Sequence, residues 1–184
     1  MTIDEKLKAF FEGKKVVILG FGREGRSTLK LLGSCNCKSI TVADMNPVPE
    51  SEAEGCTLCC GEDYLTCLDD CDVIMKAPGV ILKNIVSDEI KAKITSQTDL
   101  FLRFCDNMII GITGTKGKST TSSLIKFFIE KSGKDTMLIG NIGVPPLERR
   151  EEFTKDCVIV CEMSCHQLLS LIHISEPTRR VVIS

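Results

Sequence analysis

The chain has 184 residues, 43% hydrophobic and 26% charged, with a formal net charge of −2 at pH 7. That length supports one ordinary domain or two small ones. The balanced charge, with no basic cluster, gives no nucleic-acid footprint, and no apolar run approaches the roughly eighteen residues of a membrane span.

Met1 to Phe11 alternates charged and apolar residues and lacks a signal-peptide core, so a soluble, cytoplasmic protein is expected, and a monomer. Eleven cysteines would suit a disulfide scaffold or a metal site. Without a signal sequence disulfides are not expected. Cys56, Cys59, Cys60, Cys67 and Cys71 superficially resemble zinc ligands, but the spacing is wrong and no histidine lies nearby. Buried free thiols are the better reading.

In chain order, Ile3 to Phe11 reads as an amphipathic helix and Lys15 to Leu19 as a buried strand. Gly20-Phe21-Gly22-Arg23-Glu24-Gly25 then opens a helix through about Leu32, and Ser39 to Ala43 is a second strand ending at Asp44. Strand, glycine turn, helix, strand and acid form a dinucleotide-type layout. It predicts a phosphate or nucleotide at the strand ends without specifying NAD; a merely solvated strand end is the lesser reading of Asp44. Pro47 to Gly55 is a loop, Thr57 to Cys60 a short strand and Glu62 to Leu68 a short helix. Asp72 to Lys76 is another strand, broken by Ala77-Pro78-Gly79-Val80, where glycine allows close backbone approach to a ligand or simply makes a turn. Helical segments follow at Ser87–Lys93 and Thr98–Cys105, and a domain boundary is placed near Gln97.

Met108-Ile109-Ile110 reads as a buried strand, followed by a glycine-rich turn and a helix from Ser119 to Ile129, with Leu124, Ile125, Phe128 and Ile129 on one face. Together these make a phosphate cradle: loop amides and the helix N-terminus face phosphate oxygens, Lys118 reaches the terminal phosphates, and the Ser119 hydroxyl ligates Mg²⁺. A general P-loop would have glycine where this chain has Ile112. Thr136 to Ile139 is a strand, Gly140 to Pro146 a tight loop, and Cys157 to Cys161 a strand ending on Glu162. A carboxylate at that strand tip suits Mg²⁺ on nucleotide phosphates. From Leu169 the text changes: Leu169 to Arg179 looks like a translated transposase-adapter sequence, so Leu169–Ser184 is set aside as a non-native tail.

The string Thr113-Gly114-Thr115-Lys116-Gly117-Lys118-Ser119-Thr120 resembles the ATP loop of the Mur ligase family. GFGREG at Gly20, KAPGV at Lys76, GITGTKGKST at Gly111, GNIGVP at Gly140 and EMSCHQL at Glu162 together are similar to its D-glutamate-adding branch in peptidoglycan synthesis. The resemblance runs from about residue 5 to Leu168. It implies an α/β fold: a Rossmann-like UDP-substrate domain over 1–96, then the truncated start of a P-loop-type ATPase domain over 97–168. Gly114 to Thr120 would bind ATP, Lys118 and Glu162 would be catalytic, and Ser119 and Glu162 would hold Mg²⁺. Gly22, Arg23, Glu24, Asp44, Met45, Ala77 and Gly79 would line the UDP end of the substrate, UDP-N-acetylmuramoyl-L-alanine, and Asn141 its reacting end. D-glutamate would be the second substrate. Ala77 replaces the family's usual serine, and Cys165-His166 its Ser-Phe. The family's remaining metal residues and glutamate-binding domain would lie beyond Leu168, leaving this piece inactive alone. Another Mur-type amide ligase, an NAD-dependent oxidoreductase, which leaves the second loop unexplained, and a non-catalytic nucleotide-binding module are the alternatives.

Overall fold

The structure, a computed structural model, describes residues 1–82, 86–141, 144–164 and, for the backbone, 180–183. Ile142 and Gly143, the Cys165–Leu168 end of EMSCHQL and the adapter-like residues 169–179 lie outside the described residues. The fold is α/β with parallel sheets, in two compact units, Met1–Leu100 and Phe101–Ser184. Among the described residues no helix is long and apolar enough to cross a membrane.

The first unit opens with α1 (Ile3–Phe11), started by a capping box in which Thr2 and Glu5 satisfy each other's backbone amides. Its strands are β1 (Lys15–Leu19), β2 (Ser39–Asp44), β3 (Thr57–Cys60), β4 (Val73–Lys76) and β5 (Ile94–Thr95). They form one parallel sheet in the order β3-β2-β1-β4-β5. Helices α2 (Arg23–Leu32) and α3 (Asp88–Lys93) belong to the same unit. In β1, Val16, Val17, Ile18 and Leu19 are all buried, so both faces of the sheet are covered. Val17, Leu19, Ala43, Leu68, Cys71 and Ile74 cluster in one core, and Leu7, Phe11 and Leu32 are fully buried as well. This is the arrangement of a Rossmann-like sheet: the chain steps outward from β1 to β3, then returns to the other side of β1, so the loops after β1 and β4 diverge around a crevice.

Two local expectations are corrected. The helix expected over Glu62–Leu68 is a turn followed by a single 3-10 turn, Thr66–Leu68. Seven residues make only about two turns, too few to repay the nucleation cost of a helix. Ile94 and Thr95, read as a helix flank, form β5 against Ile74 and Met75, because parallel pairing at a sheet edge outweighs local signals. The chain divides after Leu100, inside α4 (Gln97–Phe104).

The second unit contains β6 (Ile109–Ile112), α5 (Lys118–Lys131), β7 (Thr136–Gly140), β8 (Val158–Glu162) and β9 (Arg180–Ile183). The sheet order is β7-β8-β6-β9, all parallel. In α5 the most buried position is Ser122, fully covered, with Ile125 and Ile129 half-buried on the same helical stripe. The small Ser122 permits close approach to the sheet, and its hydroxyl donates to the Lys118 carbonyl at 2.8 Å. Two members of the expected apolar face, Leu124 and Phe128, are exposed, together with Phe127. The helix is therefore apolar on two sides, and the sheet takes only one. The tail set aside as non-native is also not wholly outside the fold, because residues 180–183 pair with Ile109–Ile112 in register.

Candidate nucleotide sites

In the first unit, register brings three strand ends level: Leu19 pairs with Ala43 on one side and Lys76 on the other. Gly20, Asp44 and Ala77, each the next residue along or the strand's last, therefore sit in a row. The Gly20 amide donates to Ala43 at 2.8 Å and the Ala77 amide to Leu19 at 2.9 Å. Gly22 is the N-cap of α2 and has no side-chain capping bond, so the first helical amides remain available to an anion. Gly22, Arg23, Met45 and Gly79 are exposed at this edge, and Ala77 is half-buried.

Asp44 is engaged within the chain. Its Oδ2 accepts from the Phe21 amide at 2.7 Å, and its Oδ1 from the Asn46 amide at 2.8 Å. Partial burial works to raise its pKa, but these amide bonds outweigh it and hold the carboxyl below the ordinary aspartate value. Asp44 thus braces the glycine turn while leaving lone pairs for a ligand hydroxyl. Arg26, which the sequence did not single out, braces the same turn: Nη1 donates to the Phe21 carbonyl at 2.8 Å and Nε to Glu52 at 2.7 Å. Glu24 is half-buried beside the Gln97 backbone amide and Lys76; burial pushes its carboxyl up to about 7, against the lowering effect of both partners.

In the second unit the register aligns Ile112, Glu162 and Gly140 across three strand tips. Gly140 has φ +101°, and a Cβ there would meet the Glu162 carbonyl oxygen at 2.1 Å. Only glycine lets β7 end this close to β8. Asn141 follows, its amide donating to the Glu162 carbonyl at 3.0 Å. The loop after β6 turns through Gly114, at φ +133°, and Gly117, at φ +78°, the latter serving as N-cap of α5 without a side-chain cap. Lys118 Nζ donates to the Gly114 carbonyl at 2.9 Å, so its ammonium spans the loop from helix start to strand end. Glu162 and Asn141 thus stand at the same sheet edge from which the loop leading to Lys118 and Ser119 departs.

Glu162 is 4% exposed, and among the described residues its Oε2 finds no hydrogen-bond partner. A buried carboxylate oxygen without partner is costly, and a divalent cation is the group that carboxylate, hydroxyl and phosphate oxygens would satisfy together. The residues present therefore fit Mg²⁺ at Glu162 and Ser119. The Thr113 hydroxyl is likewise buried and unpartnered. Sequence reasoning passed over it, because a threonine at a strand end carries no signal until its burial is known. Cys56, Cys59, Cys60, Cys67 and Cys71 are free thiols, and burial raises Cys67 to about 12.

No family model matches the chain. Curated relatives do. The chain is 35% identical over 176 residues to a UDP-N-acetylmuramoylalanine–D-glutamate ligase of Clostridium botulinum strain Loch Maree, covering 90% of this chain and 38% of the relative. It is 33% identical over 165 residues to the ligase of the same name from Shouchella clausii, covering 85% of this chain and 37% of the relative. The chain thus spans well under half the length of these relatives.

Proposed function

We propose that this chain carries the nucleotide-binding part of an ATP-dependent ligase that joins D-glutamate to UDP-N-acetylmuramoyl-L-alanine in peptidoglycan synthesis. The name its relatives bear supports this reading. The single observation that carries it in the chain itself is the buried Glu162 oxygen, without a partner among the described residues, on the edge that also bears the Lys118-Ser119 loop. The second unit is then the start of a P-loop-type ATPase domain, and the first is the UDP-substrate domain, with the boundary at the Gln97 helix. A hydride-transfer reading would leave this second edge without a task. The cytoplasm, as a monomer, is the proposed setting.

In this reading the Gly114–Gly117 amides and the Lys118 ammonium hold the terminal phosphates of ATP in line with the substrate. Ser119 and Glu162 hold Mg²⁺, which when bound neutralises phosphate charge. The substrate's alanyl carboxylate attacks the γ-phosphorus, ADP leaves, and an acyl phosphate results. The D-glutamate amine attacks that carbonyl, and phosphate and a proton depart. Gly22, Arg23, Glu24, Asp44, Met45, Ala77 and Gly79 serve the UDP end, and Asn141 the reacting end. The 184-residue chain alone is expected to bind nucleotides without ligating.

The test is calorimetric titration of ATP into the chain with and without Mg²⁺. Wild type should bind more tightly with Mg²⁺, and Glu162→Gln should lose about tenfold in the Mg²⁺-dependent part, the cost of one ligand carboxylate. Equal Mg²⁺ enhancement in the variant would remove Glu162 from the metal site.

A further inference from the structure

Lys76 opens the KAPGV stretch, yet nothing above gives it a task. It ends β4, half-buried, where a lysine must find partners for its ammonium. Those partners are the carbonyls of the very turn that follows: Nζ donates to Val80 at 2.9 Å and to Ala77 at 3.3 Å. The same turn is closed by the Val80 amide donating to the Ala77 carbonyl at 3.1 Å. Lys76 therefore ties both ends of Ala77-Pro78-Gly79-Val80 from beneath.

That turn is one wall of the crevice in the first unit. A Cβ on Gly20 would meet Val80 Cγ2 at 2.6 Å and Ala77 Cβ at 3.0 Å, so the turn lies directly against the glycine turn after β1. Among the described residues, the one charged group that faces Lys76 is Glu24, on α2, across a small recess also lined by Thr28 and Gln97. Gln97 Nε2 donates to the Glu24 carbonyl at 3.1 Å and to the Thr28 hydroxyl at 2.9 Å, which fixes the α2 side of the recess. Burial lowers the Lys76 pKa and Glu24 opposes that fall.

We propose that Lys76 is a positioning residue of the uridine-diphosphate site: by holding the Ala77 and Val80 carbonyls inward, it presents the Ala77–Gly79 face of the turn, already shaped, to the ligand beside Gly20. It touches the turn and not the ligand. A turn ordered before binding spares the cost of ordering it on binding. The inference rests on the first unit being the UDP-substrate domain.

The probe is uridine diphosphate, titrated into the 184-residue chain at a temperature where circular dichroism shows every variant folded. Lys76→Met keeps the apolar stem and removes the donors; it should weaken uridine diphosphate about tenfold. Lys76→Arg, which restores donors, should recover most of the affinity. Amide hydrogen exchange separates positioning from general loss of stability: Val80 should exchange faster in Lys76→Met, while Val17–Leu19 keep wild-type protection. Should Lys76→Met not fold, Lys76→Leu carries the same expectations. Wild-type affinity in the neutral variant, or acceleration of Val17–Leu19 equal to that of Val80, overturns the role of Lys76 alone. Failure of the wild-type chain to bind uridine diphosphate at millimolar concentration overturns the reading of the site, and this inference with it.

Discussion

Glu24 ties the stability of the first unit to pH. Its folded pKa of about 7 lies above the ordinary value of 4.5, so the folded state binds the proton more tightly than the unfolded chain. Stability from this group is full below the unfolded value and is lost as pH rises toward the folded one. Between about pH 4.5 and pH 7 it should cost the unit on the order of 2–3 kcal/mol. Glu24→Gln should flatten that slope and raise the melting temperature at pH 8; an unchanged slope from urea melts at pH 5, 6 and 7 would contradict the assignment. Residues of this kind show where sequence reading stops. Asp44 was legible as the acid closing a strand–turn–helix–strand unit, but its bonds to Phe21 and Asn46 were not. Lys76 and Arg26 were invisible as braces, because their partners are backbone carbonyls, which no side-chain pattern encodes.

The strands were the most legible elements. Continuous apolar runs such as Lys15–Leu19 and Cys157–Cys161 can only be buried parallel strands when glycine turns and helices follow them. Short elements, Thr66–Leu68 and Ile94–Thr95, were not legible, because tertiary contacts decide them. The face of α5 was misjudged because Leu124 and Phe128 match the helical period as well as Ile125 and Ile129 do; the buried Ser122 decides which stripe meets the sheet. Exposed Phe128 makes a direct prediction: Phe128→Ser should change the urea midpoint by less than the equivalent of about 0.5 kcal/mol. At the opposite extreme stands Gly140→Ala. The added Cβ would collide with the Glu162 carbonyl, and the backbone already has φ +101°. A loss of at least about 2 kcal/mol is expected, with weaker Mg-ATP binding as Glu162 shifts. Wild-type stability in that variant would mean that β7 and β8 do not end as close together as their pairing indicates.

For the molecule as a whole, the two units are expected to respond independently to damage. The outer edge of β6 is paired with Arg180–Ile183, residues that the sequence marked as foreign. An apolar strand leading into the Gly114–Gly117 loop gains four paired positions from whatever lies there, native or not. Deleting residues 180–184 should therefore speed amide exchange across Ile109–Ile112 and leave Val16–Leu19 as before. Equal protection of Ile109–Ile112 in the shortened chain would show that the pairing contributes nothing in solution.

The claim at the centre is that one chain holds two separate nucleotide sites, uridine diphosphate at Gly20–Gly25 and Mg-ATP at Gly114–Thr120. The most direct measurement is a crossed pair of calorimetric titrations on Asp44→Ala and Lys118→Ala. Asp44→Ala should weaken uridine diphosphate about tenfold and leave Mg-ATP unchanged, while Lys118→Ala should weaken Mg-ATP by about ten- to a hundredfold and leave uridine diphosphate unchanged, as expected for charged hydrogen bonds. Equal loss of both ligands in either variant would contradict the two-site account.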